Sequence, residues 1–166
     1  MNWSSTRFEE KSIQSLVFSG STLVAGINGS GIFRSTDNGT TWTVLSNDLS
    51  KITVQCIVVS GSNLYARTEE NGAYVSNNGG TTWRDSANGL TILSIPTIAV
   101  SLGNIFVGTL EGVFLSSDNG NSWKSVQNEM PYNFILPLIV LDNHLFAVVS
   151  TIDNVLIQNV VKNPIV

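Results

Sequence analysis

The chain has 166 residues, only 12% of them charged, and a formal net charge of −4. This length suffices for one domain with a hydrophobic core. The eight Lys and Arg residues are scattered along the chain, which argues against a nucleic-acid partner because phosphate binding requires clustered basic side chains.

The first predicted element is a short strand at residues 2–8. Trp3 lies 39 residues before Trp42, in phase with the repeat described below. This strand is therefore expected to be the last strand of a sheet whose other strands lie elsewhere in the chain. No segment shows a sustained 3.6-residue periodicity, so no helix is predicted and an all-β fold is expected.

Three repeats follow, at residues 13–52, 53–95 and 96–134, and each is predicted to form four short strands joined by tight turns. Strands of this length with such turns form an antiparallel meander. The predicted strands are 13–19, 22–27, 31–35 and 41–46; then 53–60, 63–67, 72–76 and 82–85; then 96–101, 104–109, 112–116 and 122–126.

A fourth repeat begins but supplies only three predicted strands, at 135–141, 144–150 and 155–159. The strand at residues 2–8 is expected to complete this last sheet, which would give four sheets from one chain. Two alternatives remain open: two copies could contribute four sheets each to an eight-bladed ring, or the chain could be a piece of a larger protein.

An eight-residue segment recurs between the third and fourth strands of the first three repeats, and we call it the box. It runs from Ser35 to Trp42 and recurs at residues 76–83 and 116–123, with Trp spacings of 41 and 40 residues. Asp is expected to bond backbone N–H groups two residues on, and Gly to supply a positive φ. The Trp indole is expected to fill the space between adjacent sheets. The predicted structural residues are Ser35, Asp37, Gly39, Trp42, Ser76, Asn78, Gly80, Trp83, Ser116, Asp118, Gly120 and Trp123.

The box pattern Ser-x-[Asp/Asn]-x-Gly-x-[Ser/Thr]-Trp closely resembles the Asp-box, or BNR repeat, of β-propeller proteins. The resemblance implies an all-β propeller of four-stranded antiparallel blades, with four blades per chain and the last blade completed by the N-terminal strand. Residues 1–166 would then form a single propeller domain with repeats at 13–52, 53–95, 96–134 and 135–159 plus 2–8. The repeats also look like those of secreted or cell-surface bacterial proteins.

Candidate ligand contacts are predicted at the end of each sheet opposite the box, since loops on a rigid scaffold commonly carry function. We call these segments the rim loops: residues 28–30, 68–71, 110–111 and 152–154, with the connections 47–52, 86–95 and 127–134. Their candidate binding residues are Glu69, Glu70, Glu111, Asp153 and Tyr132. An acidic rim that takes a protein or glycan partner is the functional expectation.

A carbohydrate-active enzyme, or an inactive relative of one, is the alternative function. Asp-box propellers include sialidases, which use three arginines, a Phe-Arg-Ile-Pro type motif and a Tyr–Glu pair; this chain has four arginines and no Phe-Arg-Ile-Pro. Glu111 with Glu69 or Glu70 is the one candidate carboxyl pair for a glycosidase, and solvated acidic turns are the favoured interpretation. No catalytic residue is therefore assigned.

The remaining patterns predict no cofactor, no metal site and no membrane span. Cys56 is the single cysteine and is expected to be a buried free thiol. The most apolar stretch, residues 135–149, is interrupted by Pro137, Asp142, Asn143 and His144. The polar sequence after Met1 predicts no signal peptide in this chain, and the resemblance alone suggests a secreted or cell-surface location.

Overall fold

The computed structural model describes residues 11–45, 49–90, 94–126, 134–141, 144–150 and 155–160. Within these ranges the chain forms fifteen β-strands and no helix. The strands are β1 (Ile13–Ser19), β2 (Thr22–Ile27), β3 (Gly31–Ser35), β4 (Thr43–Val44), β5 (Val54–Ser60), β6 (Asn63–Thr68), β7 (Ala73–Ser76), β8 (Arg84–Asp85), β9 (Thr97–Ser101), β10 (Asn104–Thr109), β11 (Gly112–Ser116), β12 (Lys124–Ser125), β13 (Phe134–Leu141), β14 (His144–Ser150) and β15 (Val155–Asn159).

The strands form four antiparallel sheets in simple chain order. Three have four strands, in the orders β1-β2-β3-β4, β5-β6-β7-β8 and β9-β10-β11-β12, and the last has the order β13-β14-β15. The prediction of all-β meanders is confirmed for these residues. The predicted strand at 2–8 lies outside the described residues, as do parts of the connections between sheets.

By contacts, the chain divides into two compact units. One contains the chain up to Glu69 together with Ser76–Trp83, and the other contains Glu70–Val75 and the chain from Arg84 onward. Within the first unit, the second strand of the first sheet packs closely on the next sheet, because a Cβ on Gly26 would lie 2.8 Å from the Val54 carbonyl oxygen. Within the second unit, Val113, Leu138 and Leu145 belong to one buried cluster that joins the third and fourth sheets.

The first strand of three sheets carries a β-bulge at nearly the same place. The register shifts between Ile13 and Ser15, between Val54 and Cys56, and between Leu136 and Leu138. The extra residue in β13 is Pro137, which fits because a bulge tolerates a residue without an N–H donor. The bulges were not predicted from the sequence. Each one adds a single residue to the alternation of buried and exposed positions, which is too small a change to recognise in a short strand.

Hydroxyl groups beside the bulges tie neighbouring sheets together. Ser15 Oγ accepts a hydrogen bond from the Ile57 backbone N–H at 2.9 Å in the first unit. Thr97 Oγ1 accepts one from the Leu138 N–H at 3.1 Å in the second unit. The same link thus occurs in both units, between the first strands of consecutive sheets.

The outer strand of each of the first three sheets is shorter than predicted, and the box explains the difference. The predictions 41–46, 82–85 and 122–126 become two-residue strands: Thr43–Val44, Arg84–Asp85 and Lys124–Ser125. The backbone N–H groups of Thr41, Thr82 and Ser122 donate to the side chain of the box Asp or Asn. These donors are therefore not available to a sheet ladder.

No helix in the part of the chain that the structure describes is long and apolar enough to cross a membrane.

Candidate functional site

The serine that opens each box closes a hydrogen-bonded loop. Ser35 Oγ accepts from the Gly39 N–H at 2.8 Å and donates to Asp37 Oδ1 at 2.7 Å. Ser76 and Ser116 make the same pair of bonds in their boxes. All three serines are buried, so a hydroxyl removed here would leave a buried N–H group without its partner.

The acidic residue of the box binds the far end of the same turn. Asp37 Oδ1 accepts from the Thr41 N–H at 2.8 Å, and Asp37 Oδ2 accepts from the Thr41 hydroxyl at 2.6 Å. Asp118 binds Ser122 in the same way at 2.9 and 2.6 Å. The expectation that Asp bonds an amide two residues on was wrong, because the turn is wider and the main bonded amide lies four residues on.

Two consecutive residues in each box have left-handed backbone conformations. The φ values are 57° and 86° at Asn38 and Gly39, 65° and 90° at Gly79 and Gly80, and 58° and 78° at Asn119 and Gly120. The sequence pattern predicts a positive φ only at the second of these positions. The signal was present, since Asn and Gly are the residues that adopt this conformation at least cost.

The three box tryptophans differ in their surroundings. Trp83 and Trp123 are buried, whereas Trp42 is half-buried. The Nε1–H groups of Trp42 and Trp83 donate to the Gly39 and Gly80 carbonyls of their own boxes, at 3.1 and 2.9 Å. Trp123 instead donates to the carbonyl of Ser86 in the preceding repeat at 2.6 Å, so its indole joins two repeats.

The third box is also bound to the segment that follows β8. Ser86 Oγ donates to the Gly120 carbonyl at 2.6 Å, and Arg84 Nη2 donates to the Asn119 carbonyl at 3.0 Å. The backbone N–H of Trp123 donates to the Asn88 carbonyl at 3.0 Å. Residues 86–88 therefore contact the third box, while the Ser86 N–H donates to the carbonyl of Ala73, the first residue of β7, at 2.9 Å.

Hydrogen bonding within the boxes lowers the pKa of the two box aspartates. The Thr41 hydroxyl and backbone N–H, with the Ser35 hydroxyl, lower the pKa of Asp37 from 3.8 to about 2. The corresponding groups of Ser122 and Ser116 lower the pKa of Asp118 below its ordinary value. Each donor favours the ionised carboxylate.

We expect these shifts to make the protein sensitive to acid. The folded-state pKa values lie below the unfolded values, so the stabilisation is complete above the ordinary value of 3.8 and is lost as the pH falls toward about 2. The variant Asp37→Asn/Asp118→Asn should show a flatter loss of unfolding free energy over this range, measured by urea unfolding. The second box, which already has Asn78, provides the converse variant: Asn78→Asp should steepen the loss. Equal slopes in all three proteins would contradict this account.

The described acidic residues of the rim loops have exposed side chains, and hydrogen bonds hold the backbone at two of them. Glu69, Glu70 and Glu111 are all exposed. The Glu69 N–H donates to the Thr53 carbonyl at 3.1 Å, and the Glu111 N–H donates to Thr109 Oγ1 at 3.0 Å. The predicted residues Tyr132 and Asp153 lie outside the described residues.

In the first unit, Thr53 connects two rim loops. Its Oγ1 accepts from the Gly29 N–H at 3.0 Å and donates to Asn28 Oδ1 at 2.9 Å. Its carbonyl binds the Glu69 N–H. The Asn28–Gly29 turn and the Glu69 turn are thus held through one residue. The role of Thr53 is not visible in the sequence pattern.

Cys56 and Arg67 form a second candidate feature, as Cα partners between β5 and β6. Cys56 was expected to be buried, but it is only partly buried, at the register shift in β5. Burial raises the pKa of its thiol, and the Arg67 charge acts in the opposite direction. Arg67 stands where the paired strands of the first and third sheets have Gly26 and Gly108, which is a difference that was not predicted.

Among the described residues, no group of three or more His, Cys, Asp or Glu side chains is placed to hold a metal ion.

Compared with models of protein families and with curated protein sequences, the chain shows no match. Solved structures do resemble it. The computationally designed Ika4 protein matches with a TM-score of 0.68 at 14% identity, over 96% of this chain and 99% of that one. The structure of YCF48 bound to D1 peptide matches with a TM-score of 0.68 at 17% identity, over 90% of this chain and 53% of that one.

The GH74 enzyme of Niastella koreensis also matches, with a TM-score of 0.58 at 20% identity, over 83% of this chain and 26% of that one. These neighbours are β-propeller proteins. The fold is a β-propeller fold. The chain spans nearly all of Ika4 but only about half of YCF48 and about a quarter of the GH74 enzyme. At these sequence identities the likeness concerns the fold alone.

Proposed function

We propose that the chain is an Asp-box propeller that acts as a non-enzymatic binding or scaffold module and presents its rim loops to a partner. The observation that supports this proposal is that the described rim turns carry acidic side chains at the surface. At the rim, Glu69, Glu70 and Glu111 are exposed.

The fixed backbone of the rim supports recognition without rearrangement. The bonds of Glu69 to Thr53 and of Glu111 to Thr109 hold each turn before a partner arrives. A preorganised loop loses less conformational entropy on binding than a mobile one. Each of these turns therefore provides negative charge on a fixed backbone, for a partner with complementary positive charge.

A protein segment rich in Lys and Arg is the partner that this charge favours. The fold neighbour YCF48 binds a peptide, D1, which is consistent with peptide recognition on such a scaffold. A glycan is the second partner class that we propose. A secreted or cell-surface location in a bacterium is part of the same proposal, supported by the resemblance of the repeats to such proteins.

We expect Glu111→Gln to weaken the binding of a Lys/Arg-rich peptide. A peptide array selects the peptide, and fluorescence titration then measures its affinity at several salt concentrations. The loss of one close charge should reduce affinity about three- to tenfold, and the reduction should shrink at high salt. The matched control is Asp85→Asn, which removes one exposed acid from the outer strand β8 and should leave affinity unchanged. Equal losses in both variants would point to net charge alone and would contradict a rim site.

The alternative function is a carbohydrate-active enzyme, as in the GH74 neighbour. A glycosidase would require two carboxyl groups across one cleft, and Glu111 with Glu69 or Glu70 is the candidate pair. A glycan array with a hydrolysis assay separates the two functions. Hydrolysis by the natural chain that is lost in Glu111→Gln, with glycan binding retained, would support the enzyme. Glycan binding by the natural chain without hydrolysis would support the binding module.

A further inference from the structure

Six asparagines of the chain are followed by glycine, the neighbour that most favours spontaneous deamidation. They are Asn28, Asn38, Asn71, Asn78, Asn88 and Asn119. In this reaction the glycine nitrogen loses its proton and attacks the side-chain carbonyl carbon of the asparagine. Glycine permits the attack because it has no side chain to hinder it and adopts many backbone conformations. The reaction therefore requires a glycine N–H that base can reach.

The glycine N–H groups of the first and third boxes do not meet this requirement. The Gly39 N–H donates to Ser35 Oγ at 2.8 Å, the Gly120 N–H donates to Ser116 Oγ at 2.8 Å, and both bonds are buried. A buried, hydrogen-bonded N–H meets solvent only when the structure opens locally. The asparagines in front of these glycines are exposed, so the bond on the glycine is what keeps base away.

Three other Asn-Gly pairs are also held by contacts. The Gly29 N–H donates to Thr53 Oγ1 at 3.0 Å. The carboxamide of Asn78 makes three hydrogen bonds within the second box, which fix its orientation. Neither residue of the Asn71–Gly72 pair is without a partner.

The Asn88–Gly89 pair, in the second unit, is different. Gly89 is the third residue of a turn that the Leu90 N–H closes on the Ala87 carbonyl at 2.9 Å, and its φ of 90° is typical of a type II turn. This closing bond does not use the Gly89 N–H, and among the described residues none accepts from it. Both residues of the pair are exposed. The Gly89 nitrogen is therefore open to base.

We propose that Asn88 is the deamidation site of the folded protein and that the box serines protect Asn38 and Asn119. Hydroxide removes the proton from the Gly89 nitrogen, which then bonds to Asn88 Cγ while the side-chain nitrogen leaves as ammonia. Water opens the resulting succinimide at one of its two carbonyls. The products are aspartate, with the normal main chain, and isoaspartate, with the main chain running through Cβ and Cγ.

This conversion alters a residue that is bound to the third box. Asn88 Nδ2 donates to the Asn121 carbonyl at 3.2 Å, and both products replace this donor by an acceptor. The Asn88 carbonyl accepts from the backbone N–H of Trp123, and in isoaspartate that carbonyl no longer belongs to the main chain. Deamidation at Asn88 therefore weakens the attachment of the segment after β8 to the third box.

The test is peptide mapping by mass spectrometry after incubation of the folded chain at mildly alkaline pH. Asn88 should be converted first, with isoaspartate among the products, while Asn38 and Asn119 remain amides. In urea, where the chain is unfolded, the three sites should convert at similar rates because each precedes glycine. Conversion of Asn38 or Asn119 as fast as Asn88 in the folded chain would overturn the proposal, as would the same site preference in urea.

Two serine variants test the protection, with circular dichroism showing that the sheets remain. Ser35→Ala should accelerate conversion of Asn38 and leave Asn119 unchanged, and Ser116→Ala should do the reverse. Each variant is the control for the other, because both remove one buried acceptor from a box. Equal acceleration at both sites in either variant would show general opening of the fold and contradict protection by the serine.

Discussion

Replacing Trp123 by Ala is expected to lower the free energy of unfolding by about 3–5 kcal/mol. The buried indole fills space that Ala leaves empty, and its Nε1–H bond to the Ser86 carbonyl is lost. The Ser86 carbonyl would then lack its partner in a buried site. Because small domains have total stabilities of about 5–15 kcal/mol, this one change should remove a large share. Urea unfolding followed by fluorescence measures it.

The other two boxes provide graded controls for this experiment. Trp83 is also buried but donates to its own box, so Trp83→Ala should cost nearly as much as Trp123→Ala. Trp42 is half-buried, so Trp42→Ala should cost about 1–2 kcal/mol. A loss below about 1 kcal/mol for Trp83→Ala would show that the indole is not packed as described.

The second large effect is expected at Gly31, which opens β3. Its φ is 75°, and a Cβ there would collide with the backbone carbonyl of Leu49. The left-handed backbone costs an alanine about 1–2 kcal/mol, and overpacking adds about 1–3 kcal/mol. Gly31→Ala should therefore lower the free energy of unfolding by about 2–5 kcal/mol in urea.

Gly29 is the matched control, two residues earlier in the same turn. Its φ is 61°, and a Cβ there would meet nothing within 4 Å. Gly29→Ala should therefore show only the backbone cost of about 1–2 kcal/mol. If the two variants were equally stable, the close approach of the residue-49 backbone to β3 would be contradicted.

The sequence was informative about the fold because the chain repeats itself. Each strand of the first three sheets was placed from alternating residues and from the 40- or 41-residue spacing of the tryptophans. Where the bounds of a strand were ambiguous in one repeat, the equivalent positions of the next repeat indicated them. The outer strands were overextended because alternation continues through Thr41 and Trp42, while the hydrogen bonds of Thr41 go to Asp37.

The contacts between repeats were the part that sequence reasoning could not predict. The bond from Trp123 to Ser86 joins residues 37 positions apart, and the other two tryptophans, in the same local motif, bind their own boxes. The bulges at Gln14, Gln55 and Pro137 likewise leave no sequence signal beyond the proline. These features depend on how sheets meet, which local patterns do not encode.

The candidate binding site was predicted only as a location. Topology places the rim loops opposite the boxes, and exposure of Glu69, Glu70 and Glu111 follows from their position in turns. The anchoring role of Thr53 was not predicted, because it depends on Asn28 and Gly29, which lie 25 and 24 residues away. Partner chemistry is even less visible, since exposed acids in turns serve many functions.

We propose that the two ends of the first three sheets have different roles: the boxes stabilise the fold, and the rim loops bind a partner. The most direct test compares urea unfolding free energies of Ser35→Ala/Ser76→Ala/Ser116→Ala and Glu69→Gln/Glu70→Gln/Glu111→Gln with that of the natural chain. We predict that the serine variant loses about 3 kcal/mol or more, from three buried N–H groups left without partners. The glutamine variant should stay within about 0.5 kcal/mol of the natural chain. Comparable losses in the two variants would contradict the account.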